Sequence, residues 1–178
     1  IYEDDNVEVH TIPLDHRIYT NGFLFKEKEN DRKIDIEAVT EANINVAYFR
    51  KLKQGADVLN EDGVLIDNST VTMDPNPSLS YAFCSDTVYN EAIIPIIKEA
   101  TVLYHESTFL EKNKILCAPT KHSTAIQAAT IAKKANVDHL ILGHYSTRYN
   151  GYDEFKQEAQ TVFENVLLAK DGKSFEFN

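Results

Sequence analysis

Apolar positions along this chain change their spacing several times, and each change marks an element. Val7 to Leu14 alternates apolar and polar residues and predicts a strand that leaves at Asp15-His16-Arg17. Tyr19 to Lys28 predicts a second strand, with Asn21-Gly22 as a bend near its start, so the two make a hairpin-like pair. From Leu79 on, short apolar runs alternate with helical spacing. Leu79 to Ser85 predicts a buried strand, and Val88 to Ala100 a helix carrying Ala92, Ile93, Ile96 and Ile97 despite Pro95. Thr101 to Thr108 is a β-rich run that stops at His105-Glu106. Lys121 to Lys134 is an Ala-rich helix that Ser123 or Thr124 is placed to cap. A strand from His139 to His144 and an amphipathic helix from Asp153 to Asn165 follow. Val166 to Lys170 and Ser174 to Phe177 predict terminal strands around the turn Asp171-Gly172. Strands and helices in alternation predict an α/β layer structure.

The stretch from about Glu27 to Pro77 breaks this rhythm. Glu27 to Lys33 is a charge run, Ile34 to Ala42 and Ala47 to Gly55 predict short helices, and Asn60 to Gly63 is a turn between short β pieces. Few of its residues could form a strong core, so it reads as an arm or insertion projecting from the body.

Composition narrows the picture. The 178 residues are 43% hydrophobic and suffice for one domain or a large part of one. No apolar run of about 18 residues is present, so no membrane partner is expected. Cys84 and Cys117 make no disulfide framework, which points to a reducing, cytoplasmic setting. The chain begins at Ile1 and its one methionine is Met73, which predicts a piece of a longer protein. The net charge of -10 argues against nucleic acid, although a metal ion or a local basic patch can reverse that locally.

The candidate chemistry lies at strand ends: His16, Asp86, His105-Glu106, His122 and His144. Imidazole and carboxylate suit zinc or manganese, but no His-x-His or His-x-x-x-His spacing states a metal. His10 and His139, with no polar cluster beside them, read as structural. Asp86 reads either as a helix N-cap or as a metal ligand. Glu106 and His122 read as a proton-handling pair or as a buried hydrogen-bonded pair. Arg148 could grip a phosphate bidentately or pair with a surface carboxylate. Arg50, Lys51 and Lys53 could grip an RNA backbone or simply form a solvated helix face.

Five pieces carry a resemblance: His16 with Asn21-Gly22-Phe23, Phe83-Cys-Ser-Asp-Thr87, Leu103-Tyr-His-Glu-Ser-Thr108, Lys121-His-Ser-Thr-Ala-Ile-Gln-Ala-Ala129, and Leu140-Ile-Leu-Gly-His-Tyr-Ser-Thr-Arg-Tyr149. In this order and near this spacing they resemble the C-terminal half of the ribonuclease Z family. The resemblance implies half of a metallo-β-lactamase αβ/βα sandwich over residues 1–178, with a flexible RNA-clamping arm inserted at 27–77. It implies His16, Asp86 and His144 as metal ligands, Asp86 bridging two zinc ions in the full-length site. It implies His122 as general acid with Glu106 orienting it. Arg148 and Ser146 would bind the substrate phosphate, with Arg50, Lys51 and Lys53 on the arm. The implied activity is cleavage of the 3′ trailer from precursor tRNA. Half a two-layered fold exposes the face that its other half would cover, so a homodimer is expected. The family's His-x-His-x-Asp-His motif is absent, so this chain alone is expected to be inactive. Gly143 stands where the family usually has threonine, and the arm lacks the usual Gly-Pro pair. The rivals are a superfamily phosphodiesterase acting on another substrate, and a non-catalytic RNA-binding or assembly half.

Overall fold

The computed structural model describes residues 1–177. The chain divides into two compact units, one built from Ile1–Glu27 with the chain from Leu79 onward, the other from Lys28–Ser78.

A seven-stranded sheet organises the first unit. Its order follows the sequence: Tyr2–Glu3, Val7–Leu14, Thr20–Glu27, Ser80–Cys84, Val102–Glu106, His139–Gly143 and Val166–Leu168. The first four strands pair antiparallel and the last four run parallel. Side chains alternate between the two faces, as the period of a strand requires. Ile12, Ala82, Cys84, Leu103, Leu140, Leu142, Val166 and Leu168 form a single buried cluster with the apolar sides of the helices Ala125–Ala135 and Asp153–Gln160. Ala125, Ala128, Ala129 and Ala132 are fully buried, their small side chains letting that helix lie close to the sheet. Phe155 is buried completely, worth roughly 1.5–3 kcal/mol in removed apolar surface. The other sheet face carries an aromatic row of Phe23, Phe25, Tyr81, Phe83 and Tyr104.

Thr124 is the cap of the helix Ala125–Ala135, accepting from the Gln127 amide while the Gln127 side chain accepts from the Thr124 amide. The reading of Val88 to Ala100 as a helix is wrong. Only a turn of 3₁₀-helix, Glu91–Ile93, forms there, capped by Asn90. Pro95 has no amide to continue a helical ladder, and Glu99 at φ +58° turns the chain toward the next strand. Ile93 and Ile97 are buried nonetheless. The last long helix stops at Gln160, and Ser174 to Phe177 forms no strand.

The second unit has a core of its own, contrary to the sequence expectation. Val39, Ile44, Leu52, Val58 and Val71 are buried together. They are spaced too irregularly for any periodic pattern to reveal them. Polar side chains complete the unit. Asp35 caps the helix Ile36–Glu41, and the buried Asn68 amide donates to the carbonyls of Leu52 and Ala56. Arg50, Lys51 and Lys53 are exposed on the short helix Phe49–Lys53, with Leu52 as its buried anchor.

Candidate metal centre

In a parallel sheet, the carboxyl ends of the strands share one edge, and ligands bind beyond it. Val7–Leu14 ends at that edge too, because two antiparallel steps separate it from Ser80–Cys84. The edge therefore gathers His16, Asp86, Glu106 and His144, each just after or at the end of a different strand. His122 joins them from the loop before the helix Ala125–Ala135. His16 and His122 have ring centroids 5.0 Å apart, and His122 and His144 5.1 Å.

Hydrogen bonds fix the tautomers of all three imidazoles. Nδ1 of His16 lies 2.9 Å from the Lys121 carbonyl, which can only accept, so Nδ1 carries the proton. Nδ1 of His122 lies 2.7 Å from Glu106 Oε1 and likewise donates to it. Nδ1 of His144 lies 2.8 Å from Thr108 Oγ1, whose own proton goes to Glu106 Oε2 at 2.7 Å. Thr108 must therefore accept from His144. Each ring thus keeps Nε2 for another partner. The His144 Nε2 lies 3.3 Å from Asp86 Oδ1 and the His16 Nε2 3.9 Å from Asp86 Oδ2. Imidazoles oriented by a carbonyl, a hydroxyl or a carboxylate at one nitrogen, with the other facing a shared carboxylate, are what a zinc-type site requires.

Donor atoms of His16, Asp86 and His122 lie within 4.8 Å of one another, as do those of Glu106, His122 and His144. The donor set fits a metal. His122 stands in both groups, yet it is the imidazole bound to a buried carboxylate rather than to a neutral oxygen.

Glu106 is the hub. Its side chain is fully buried and accepts four hydrogen bonds, from the Thr87 and Thr108 amides, the Thr108 hydroxyl and His122. Burial alone would raise its pKa, but the bonds from His122, Thr108 and the Thr87 amide outweigh it and hold the carboxyl below its usual value. The bond to Glu106 raises the His122 pKa, against the opposing effect of burial.

Backbone geometry sets the two histidine-bearing turns. His144 and Lys121 both hold left-handed conformations, at φ +57° and +59°. For a non-glycine residue this is uncommon and clusters at functional sites. Lys121 also binds Asp15 through its ammonium at 3.0 Å, tying the His122 loop to the His16 loop.

Arg148 lies over the Phe109 ring at 5.1 Å, and its Nε donates to Ser146 Oγ. Phe109 in turn meets the His122 ring nearly at right angles, at 6.3 Å between centroids, so Arg148 is carried on the same cluster. Arg50, Lys51 and Lys53 belong to the second unit. His10 is exposed beside Glu8, and His139 packs against Phe177. His105 is fully buried, its Nδ1 on the Glu106 carbonyl and its Nε2 without a partner among the described residues. The sequence reading passed over Thr87, Thr108 and the Lys121 carbonyl. Thr108 lies in a quoted piece two residues after Glu106, but nothing in its type marks it as a link between two other groups.

No protein-family profile matches the chain. Ribonuclease Z of Cytophaga hutchinsonii is 45% identical over 170 residues, covering 95% of this chain and 54% of that protein. Among solved structures, the metallo-β-lactamase-fold protein YhfI of Bacillus subtilis superposes with a TM-score of 0.62 at 18% identity, over 98% of this chain and 52% of YhfI. The short form of human tRNase Z superposes with a TM-score of 0.56 at 21% identity, over 96% of this chain and 43% of that one. The chain spans a little over half the length of the curated relatives it matches. By sequence it belongs to the ribonuclease Z family of metallo-β-lactamase-fold proteins, as the counterpart of the C-terminal part of its relatives.

Proposed function

We propose that the protein to which this chain belongs is a zinc-dependent endoribonuclease that removes the 3′ trailer from precursor tRNA. The observation that supports it most is the set of three imidazoles, each oriented through Nδ1, converging on Asp86. His16, Asp86 and His144 would hold metal. When bound, it would supply Lewis-acid stabilisation of charge on the phosphoryl group.

Side chains of this chain supply three further roles: the leaving-group proton, the grip on the scissile phosphate and contacts to the RNA backbone. His122 holds a proton at Nε2 for the leaving oxygen, and Glu106 fixes its ring and stabilises its charged form. Arg148, steadied on Phe109 and by Ser146, places a guanidinium for the scissile phosphate. Arg50, Lys51 and Lys53 supply exposed positive charge in the Lys28–Ser78 unit, for phosphates farther along the RNA. That unit is the arm in this proposal. The metal set is shared with residues outside this chain, so the chain alone is inactive. A reducing, cytoplasmic setting and a homodimer complete the proposal.

The test is metal content and cleavage of a precursor tRNA by the full-length protein beside this chain. Zinc in the full-length protein with trailer removal, and neither in the chain alone, is the expected result. Cleavage of small phosphodiesters without any cut in precursor tRNA would replace this reading with a phosphodiesterase of other specificity.

A further inference from the structure

Tyr104 ends the aromatic row on the sheet face away from the helices. Phe83 stacks on it at 4.8 Å between centroids, with 23° between the planes. Held on that side, the phenol reaches over the neighbouring strand at Gly143. A Cβ at Gly143 would lie 2.6 Å from both Cε2 and Cζ of the ring, and against its hydroxyl oxygen. Real Cβ atoms do not tolerate such contacts, so this pose of Tyr104 requires glycine at 143. The backbone there does not otherwise require it, because the positive-φ glycines are Gly55, Gly63 and Gly172.

Gly143 is the last residue of its strand and precedes His144, so the phenol oxygen lies at the same end of the sheet as the imidazoles. Glu106 and Asp86 are near enough to act on it electrostatically. Burial first, then these two carboxylates, raise its pKa, so the hydroxyl keeps its proton. It has no hydrogen-bond partner among the described residues. A neutral donor without an acceptor, at the strand-end edge that carries His16, His122 and His144, is placed to serve a ligand oxygen.

We infer that Tyr104 contacts the substrate, its hydroxyl donating a hydrogen bond to a non-bridging oxygen of the phosphodiester, and that Gly143 opens the space for it. This rests on the nuclease reading above.

The test uses the full-length protein, with precursor tRNA and bis(p-nitrophenyl) phosphate as substrates. Tyr104→Phe keeps the ring, its stacking and the fit over Gly143, and removes the donor alone. The expected result is an unchanged melting temperature with kcat/KM lowered about tenfold or more on both substrates, as for a hydrogen bond to a charged group. Inorganic phosphate binding should weaken in parallel. The steric half is tested separately. Gly143→Ala should lower the melting temperature, and adding Tyr104→Val should restore it while kcat/KM stays low. Wild-type kinetics and phosphate binding in Tyr104→Phe would overturn the contact. A melting temperature untouched by Gly143→Ala would overturn the pairing. Absence of cleavage of either substrate by the wild-type protein would instead remove the nuclease reading beneath both.

Discussion

The Thr108 hydroxyl stands between Glu106 and His144, giving its proton to the first at 2.7 Å and accepting from the second at 2.8 Å. One buried carboxylate thereby orients two imidazoles, His122 directly and His144 through a hydroxyl. Thr108→Val keeps the shape and deletes the relay. It should cost about 1–3 kcal/mol in chemical denaturation, because Glu106 loses a donor it cannot replace from water. In the full-length protein it should also weaken zinc binding by roughly 10–100-fold, the usual effect of losing a group that orients a ligand. Thr108→Ser, which retains the hydroxyl, should do much less. Equal zinc affinity in Thr108→Val and wild type would show that His144 needs no such anchor.

Stability should depend on pH through Glu106. Its folded-state pKa lies below the ordinary value of 4.5, so the unfolded chain binds the proton more readily than the folded one. The contribution is therefore present above about pH 4.5 and lost as the pH falls through the lower, folded value. Glu106→Gln removes this titration and sets an amide against donors, so it should lower stability at neutral pH and flatten the acid limb. His122 has the opposite sign. Its raised pKa gives a contribution present below its ordinary 6.5 and lost as the pH rises through the folded value. Melting curves of wild type and Glu106→Gln from acid to neutral pH test the first of these.

Cys84 and Cys117 are both buried, at 0% and 3% exposure. Burial pushes the Cys84 thiol up to about 12 and the Cys117 thiol up to about 11. The thiolate is the reactive form. Neither should react with a disulfide reagent at pH 8 while the protein is folded, and both should react within the mixing time in denaturant. Stoichiometric reaction of the native protein would show that the strand Ser80–Cys84 or the helical turn Cys117–Thr120 opens readily.

His16, Asp86, Glu106 and His144 were legible because a strand pattern places its last residue, and these follow predicted strands directly. Bringing Asp86, Glu106 and His144 to one edge takes only the parallel arrangement that alternating strands and helices imply, and two antiparallel steps bring His16 to the same edge. The Val88 to Ala100 segment misled because its apolar spacing fits a helix, while Pro95 and the Asn90 cap impose turns that bury the same Ile93 and Ile97. Thr108 and the Lys121 carbonyl escaped notice for another reason. Their part in the site depends on which atom faces which, and neither backbone carbonyls nor a single threonine leave a mark in residue type. Tyr104 is similar: its place depends on the missing side chain of Gly143, across a strand pair.

The Lys28–Ser78 unit should be removable. Its buried residues Val39, Ile44, Leu52, Val58 and Val71 form a cluster separate from the one beneath the sheet. Its two junctions are already held together, since the Glu27 amide donates to the Leu79 carbonyl at 2.9 Å and the Leu79 amide to the Glu27 carboxylate. A short Gly-Ser linker from Glu27 to Leu79 therefore spans almost no distance and costs little closure entropy. The shortened full-length protein should keep its zinc and its cooperative melting. It should cleave bis(p-nitrophenyl) phosphate at nearly the original rate while losing affinity for precursor tRNA. The salt dependence of tRNA binding should flatten as well, because Arg50, Lys51 and Lys53 leave with the unit. A shortened protein that bound tRNA with unchanged affinity and salt dependence would place RNA recognition entirely outside the Lys28–Ser78 unit.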